Sequence, residues 1–375
     1  MRSKYNLWKY TKVAAIVAVA MTVGAAAAVI YNAAGNQSTA QDPQLSQEPT
    51  EIAQGPGTVK ITPLGSHAGE FCGQDRALLF EDPTGVRILW DPGFTVDETD
   101  ERLGDVHVVM LSHVHGDHIG SSKPNRQNPG TCAAPGLVSA APNTSTAAIA
   151  AAKNSAVITG GEMPQFLARK IQNIRNAGTP GCPAAGLSNV MTVPLTTPCI
   201  GFLQPGGSRT IKMSEATAGV KIAIVPATHT NGVAGNLVEA PGLPPGLSGY
   251  VGPPNGAILK FTNGLTAYLS GDTGFFSDMT TIVRGYYHVN LAVINMGDTF
   301  TLGPDEAAFA AKTLIRPRTV IPSHSLEAST TGGIITGLRL ARLRDELDHS
   351  GVRLVVPLSG MTREFNGRGV CINCQ

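Results

Sequence analysis

From Thr58 onward the apolar and polar positions begin to alternate, Val59-Lys-Ile-Thr, as in a half-buried strand, and the folded domain is expected to start there. Ala77-Leu-Leu-Phe80 and Val86-Arg-Ile-Leu-Trp90 read as two more strands joined by a turn at Asp82-Pro-Thr-Gly85, and Asp91-Pro-Gly93 closes the second. Val106 and the unbroken apolar run Val108 to Leu111 have strand length. Pro142 to Thr146 caps an Ala-rich helix reaching about Ala152. From Pro164 to Asn176 the residues Phe166, Leu167, Ile171 and Ile174 recur on one helical face. Val220 to Val225 is a strand. Ala257 to Phe261 and Leu265 to Leu269 form a hairpin about Asn263-Gly264. Val289 to Ile294 and Thr319 to Pro322 are two further strands. Helices are expected from Gly303 to Leu314 and from Gly337 to His349, the latter carrying Leu338, Leu340, Leu343 and Leu347, with a closing strand over Val352 to Leu358. Two stretches stand outside this rhythm. Residues 121–219 are expected as a long insertion at a rim. Gly232 to Pro254 is a Gly/Pro-rich loop, read either as a lid or as a surface excursion.

The N-terminus changes the setting. Arg2, Lys4, Lys9 and Lys12 precede the apolar stretch Val13 to Gly24 and the small residues Ala25 to Ala28, the pattern of an export signal over 1–28. Extended to Ile30, the same run is long enough to stay as a membrane anchor, so cleavage and retention are both open. Either way the body is expected outside the cytoplasm, periplasmic or secreted. Residues 29–57 are polar and turn-rich, a linker, and 58–375 form the domain. In an oxidising compartment the six cysteines, Cys72, Cys132, Cys182, Cys199, Cys371 and Cys374, are read as disulfides in unknown pairing. For Cys371-Ile-Asn-Cys374 a structural bridge is favoured over a redox or zinc role. A net charge of +1, with 15% charged residues, gives no reason to expect a nucleic-acid partner.

The chemistry concentrates in Leu111-Ser-His-Val-His-Gly-Asp-His-Ile-Gly120. At a strand's end this loop delivers His113, His115, Asp117 and His118 within six residues, a donor set suited to a borderline divalent ion such as Zn2+. A surface His tract with adventitious metal affinity is the bland alternative. Against it, strand ends downstream carry His229, Asp272 in Ser270-Gly-Asp-Thr-Gly274, and His324 in Val320-Ile-Pro-Ser-His. No G-x-S-x-G elbow or Cys/His pairing suggests a side-chain nucleophile.

His-x-His-x-Asp-His resembles the signature of the metallo-β-lactamase superfamily, which implies an α/β (α+β) four-layer αββα sandwich. The run from Pro304-Asp-Glu-Ala-Ala to Val320-Ile-Pro-Ser-His324 is similar to the ascorbate-6-phosphate-lactonase-like branch and its uncharacterised metal-dependent relatives. By that resemblance His113, His115 and His229 would hold one ion, Asp117, His118 and His324 another, with Asp272 between them. The cofactors expected are two divalent ions, zinc first, with Mn2+ or Fe as alternatives. The activity implied is hydrolysis of an ester, lactone or phosphodiester in a small or lipid-like substrate by a metal-bridged hydroxide. Asp117 is the carboxylate best placed to orient water or shuttle its proton. β-Lactam hydrolysis, di-iron redox chemistry and metal-free binding are the rivals. His67 is left out of the ligand set, and for Thr230 and Asn231 a turn role is favoured over substrate contact. A membrane tether follows only if the N-terminal segment is retained, and the oligomeric state is open.

Overall fold

Short strands that are apolar on both faces need cover on both sides, and in this chain two sheets stack with helices outside each. A computed structural model describes residues 55–238, 243–244 and 247–374. The expected export segment and almost all of the linker lie outside the described residues.

The first sheet has seven strands in the spatial order Arg363–Phe365, Val59–Pro63, Leu78–Glu81, Arg87–Trp90, Val108–Met110, Ala156–Thr159 and Cys199–Phe202. Its first four members pair antiparallel, and from Arg87–Trp90 onward the pairing is parallel. The second has eight, in the order Arg353–Leu354, Thr319–Ser323, Leu291–Asn295, Thr266–Leu269, Asn255–Lys260, Val220–Pro226, Ser208–Met213 and Val190–Val193. The strands expected from the apolar runs, the closing one over Val352 to Leu358 excepted, are present within a residue or two. Asn263-Gly264 makes the expected hairpin, with Ala257 opposite Leu269 and Lys260 opposite Thr266.

Alternation along each strand divides its side chains between layers. Val108 and Met110 point between the sheets, against Ile222, Ile224, Leu269 and Val293. Val109 and Leu111 point the other way, under the helices Ser145–Lys153 and Met163–Arg175. The outer face of the second sheet is covered by the helical stretch Pro304–Ile315, whose second half is a π-helix, and by Leu338–Leu347. These are the helix, sheet, sheet and helix layers expected.

Three expectations need correction. Much of 121–219 is not at a rim, because it supplies Ala156–Thr159 and Cys199–Phe202 to one sheet and Val190–Val193 and Ser208–Met213 to the other. Only the hairpin Ser122–Pro124 and Leu137–Ser139 stands apart from both sheets. Ile174 and Leu338 are exposed, while Lys170 is buried with its ammonium donating to the Pro142 carbonyl at 2.6 Å. The stretch Val352 to Leu358 keeps only two strand residues, Arg353–Leu354. The cysteines are paired as Cys72–Cys132, Cys182–Cys199 and Cys371–Cys374, the last being the expected bridge.

Candidate metal centre

The strands Val108–Met110, Val220–Pro226, Thr266–Leu269 and Thr319–Ser323 deliver their C-terminal ends to one region, where loops can aim side chains without breaking a ladder. After the first, His115 is extended and a single turn, Gly116–Ile119, closes on Gly120 in the left-handed region (φ 74°). A Cβ at Gly120 would lie 2.5 Å from that of Ser145, so only glycine lets the following helix dock on this loop.

All seven side chains singled out from the sequence converge here. Donor atoms of His113, His115 and His229 lie close enough together for one ion, as do those of His113, His118 and Asp272, and those of Asp117, His118 and His324. Asp272 touches both sides. Its Oδ2 is 3.6 Å from His229 Nε2, 3.9 Å from His113 Nε2 and 3.0 Å from His324 Nε2, and its Oδ1 is 3.3 Å from His118 Nε2. Asp117 Oδ2 lies 3.6 Å from His118 Nε2 and 3.4 Å from His324 Nε2. His324 sits at φ 51°, and a Cβ on Gly297 would meet its carbonyl oxygen at 2.3 Å. His67 joins none of the clusters; its ring meets Ser66 Oγ and the Gly130 carbonyl.

A residue left out of the sequence-derived set organises the loop. Asp91, buried at the end of Arg87–Trp90, accepts from Ser112 N–H at 2.8 Å, Ser112 Oγ at 2.7 Å and His118 Nδ1 at 2.8 Å. Ser112 Oγ in turn lies 2.9 Å from His113 Nδ1. With Nδ1 engaged in this way, each ring turns its Nε2 lone pair into the centre. Arg76 was also missed. Its side chain is 1% exposed, and it donates to Asp117 Oδ2 at 3.1 Å and to the Gly73 and Asp75 carbonyls. Asn231 is a clamp between loops, accepting from Val114 N–H and donating to the Gly252 carbonyl. The one readable signal for Asp91 was Asp91-Pro-Gly93; nothing in the sequence marks Arg76.

The electrostatics are those of a cation site. Burial pushes the His113 imidazole well below its usual range, with His118 adding to the effect. Burial opposes charge on His118 too, yet Asp272, Asp117 and Asp91 outweigh it and hold that ring well above its usual range. Burial also works against charge on Asp117 and Asp272, and the cationic neighbours, His118 first, outweigh it and keep both carboxyls well below theirs. His113 Nε2, His118 Nε2 and Asp272 Oδ1 are buried without a hydrogen-bond partner among the described residues. Orphaned polar atoms facing one another at such distances are costly unless something binds between them. The donor set of imidazoles and carboxylates fits a divalent metal.

A sequence model of the metallo-β-lactamase superfamily matches residues 72–131, the stretch holding Arg76, Asp91 and the His-rich loop. Over 269 residues the chain is 31% identical to a UPF0173 metal-dependent hydrolase of Pelotomaculum thermopropionicum, covering 71% of this chain and 84% of that protein. This chain belongs to the UPF0173 metal-dependent hydrolases. A second member, from Azorhizobium caulinodans, is 28% identical over 310 residues, 82% of this hydrolase and 100% of the relative. The fold is also that of Igni18, a metallo hydrolase from the archaeon Ignicoccus hospitalis, with a TM-score of 0.50 at 19% identity over 82% of this chain and 99% of that one. The hydrolase is thus a metal-dependent enzyme of the metallo-β-lactamase superfamily.

Proposed function

We propose that this hydrolase uses two divalent ions, zinc first, to cleave an ester, lactone or phosphodiester bond, and that it does so outside the cytoplasm. The observation that carries the reading is the convergence of His113 Nε2, His118 Nε2 and Asp272 Oδ1, buried and unpartnered. His113, His115 and His229 would hold one ion, Asp117, His118 and His324 the other, and Asp272, within reach of both sets, would join them. Such a pair supplies a water ionisable near neutral pH and polarises the oxygen of the bond under attack.

The chain's own groups do the rest. Asp91 and Ser112 aim His118 and His113. Arg76 fixes the rotamer of Asp117. Asp117 serves as ligand and as the carboxylate that orients the water or shuttles its proton. Export is supported by the basic and apolar segment from Arg2 to Gly24 and by the pairing of all six cysteines in disulfides.

Elemental analysis of purified protein beside Asp272→Ala tests the reading. About two equivalents of zinc in the wild type, reduced in the variant, is the expected result. Iron in its place would favour redox chemistry. Well-folded protein without stoichiometric metal would sink the assignment.

A further inference from the structure

Beside the metal centre the hairpin Gly232–Ala234 and Ser248–Tyr250 walls a cavity of about 590 Å³ that opens on His115 and Thr230. The register pairs Gly232 with Tyr250, Val233 with Gly249 and Ala234 with Ser248. Alternation then sorts the side chains. Val233 turns into the core and is 1% exposed, packed in the same cluster as Leu237. Gly232, Ala234, Ser248 and Tyr250 share the opposite face, and all four line the cavity. Opposite Tyr250 stands a glycine, so no cross-strand side chain covers the ring, which is 73% exposed. Small residues around one uncovered aromatic make a concave wall. On the far side the cavity reaches His115, whose Nδ1 is 3.3 Å from His229 Nε2 and whose Nε2 is 3.3 Å from Thr230 Oγ1. A group seated here lies against the His113, His115 and His229 side of the centre.

Among the described residues, no Lys, Arg, Asp or Glu lines this cavity. The amide of Asn231 at its floor is committed to Val114 and Gly252. Arg76, the cation bonded to Asp117, is buried in the protein and engaged by that carboxylate and two carbonyls. At the centre the divalent ions would meet a substrate's charge, but an ionised group seated in the cavity would need charge-assisted hydrogen bonds, commonly from Arg or Lys, and the described lining offers none. It offers an aromatic face, an alanine and neutral hydroxyls.

We infer that this cavity seats the uncharged, apolar acyl portion of a carboxylic ester or lactone, with Tyr250 as the specificity-determining contact, an inference that rests on the metal-dependent hydrolysis proposed above. The acyl chain lies along the Tyr250 ring and over Gly232 and Ala234, and its carbonyl points past His115 into the centre. Substrates with a charged group at this position are excluded because nothing in the wall repays its desolvation.

The test compares p-nitrophenyl hexanoate with bis(p-nitrophenyl) phosphate on the metal-loaded full-length protein, as wild type, Tyr250→Ala and Ala234→Lys. The ester is expected to have the higher kcat/KM. Tyr250→Ala should raise its KM about tenfold, the loss of one ring's apolar contact, with kcat nearly unchanged. Ala234→Lys should shift the preference toward the diester. A wild type that prefers the diester, or an ester KM indifferent to Tyr250→Ala, overturns the inference. Calorimetric titration with the uncleavable ketone isostere of the ester separates this inference from the hydrolase reading. Weaker binding to Tyr250→Ala than to wild type, without turnover of either substrate, upholds the subsite and counts against hydrolysis alone. Equal binding to both proteins overturns the subsite whether or not turnover is seen.

Discussion

Asp91 spends both carboxylate oxygens on the metal loop, three hydrogen bonds in all, from a backbone position at φ 40° that non-glycine residues seldom take. Asn in its place keeps the size but turns one acceptor into a donor, which faces either Ser112 N–H or His118 Nδ1–H across a buried contact. Asp91→Asn is therefore expected to lower metal affinity by roughly 10–100-fold, the usual cost of losing a ligand's hydrogen-bond partner. Competition against a coloured chelator measures it, and an unchanged affinity would deny Asp91 its aiming role. At this scale the legible residues were the dense ones. Three histidines and an aspartate within six positions stand out in a chain with nine histidines. Asp91 shows only as the residue that closes a strand and nothing marks Arg76, because what makes each matter is a partner 21 to 41 positions away.

The elements were legible where an apolar run had turn residues at both ends, as in the hairpin about Asn263-Gly264. They were less so in 121–219, where four strands of four to six residues lie among Gly, Pro and Ser, too short to establish a period, and Ala156–Thr159 buries both faces without alternation. Helical faces slipped for a related reason. Ile174 lies in the last turn of its helix, beyond the packed face, and Lys170 covers apolar surface with its stem while its ammonium reaches a carbonyl. The disulfides tie down the loops around these elements, and their spacings differ enough to rank. Cys72–Cys132 spans 60 positions, Cys182–Cys199 spans 17 and Cys371–Cys374 spans 3. Chain entropy then gives roughly 4 kcal/mol for the first, about 3 for the second and under about 2 for the third. Replacing each pair by serines and measuring denaturation midpoints should reproduce that order. A larger loss from the Cys371–Cys374 pair than from Cys72–Cys132 would show that native packing, not loop closure, governs these bridges.

For the molecule as a whole, apolar runs alone did not say which strand joins which sheet, since both sheets are built of similar short runs. The four layers were legible through family resemblance, and the structure supplies the order. It also couples global stability to a histidine that takes no part in the centre. His107 precedes Val108–Met110. Its N–H donates to the Arg87 carbonyl, its carbonyl accepts from Ala156 N–H, and its Nδ1 accepts from Arg87 N–H at 3.0 Å. The last bond exists only while Nδ1 is unprotonated. Burial pushes the His107 imidazole below its usual range, Asp105 opposing this and Arg87 adding to it. The sign follows. Above a pH of about 6.5 both folded and unfolded His107 are neutral; below it the unfolded chain takes a proton that the fold refuses, so stability falls with pH until the lowered folded value is reached. One such group contributes a slope of at most about 1.4 kcal/mol per pH unit. The metal-loaded protein and His107→Asn, whose amide oxygen can take over the Arg87 bond, are compared by urea denaturation at several pH values between about 8 and 5. Their stabilities should run parallel above the free-histidine range and converge below it as the wild type loses more. If they stay parallel throughout, protons leave His107 alone, and any acid sensitivity of the fold comes from the ligand imidazoles releasing their metal.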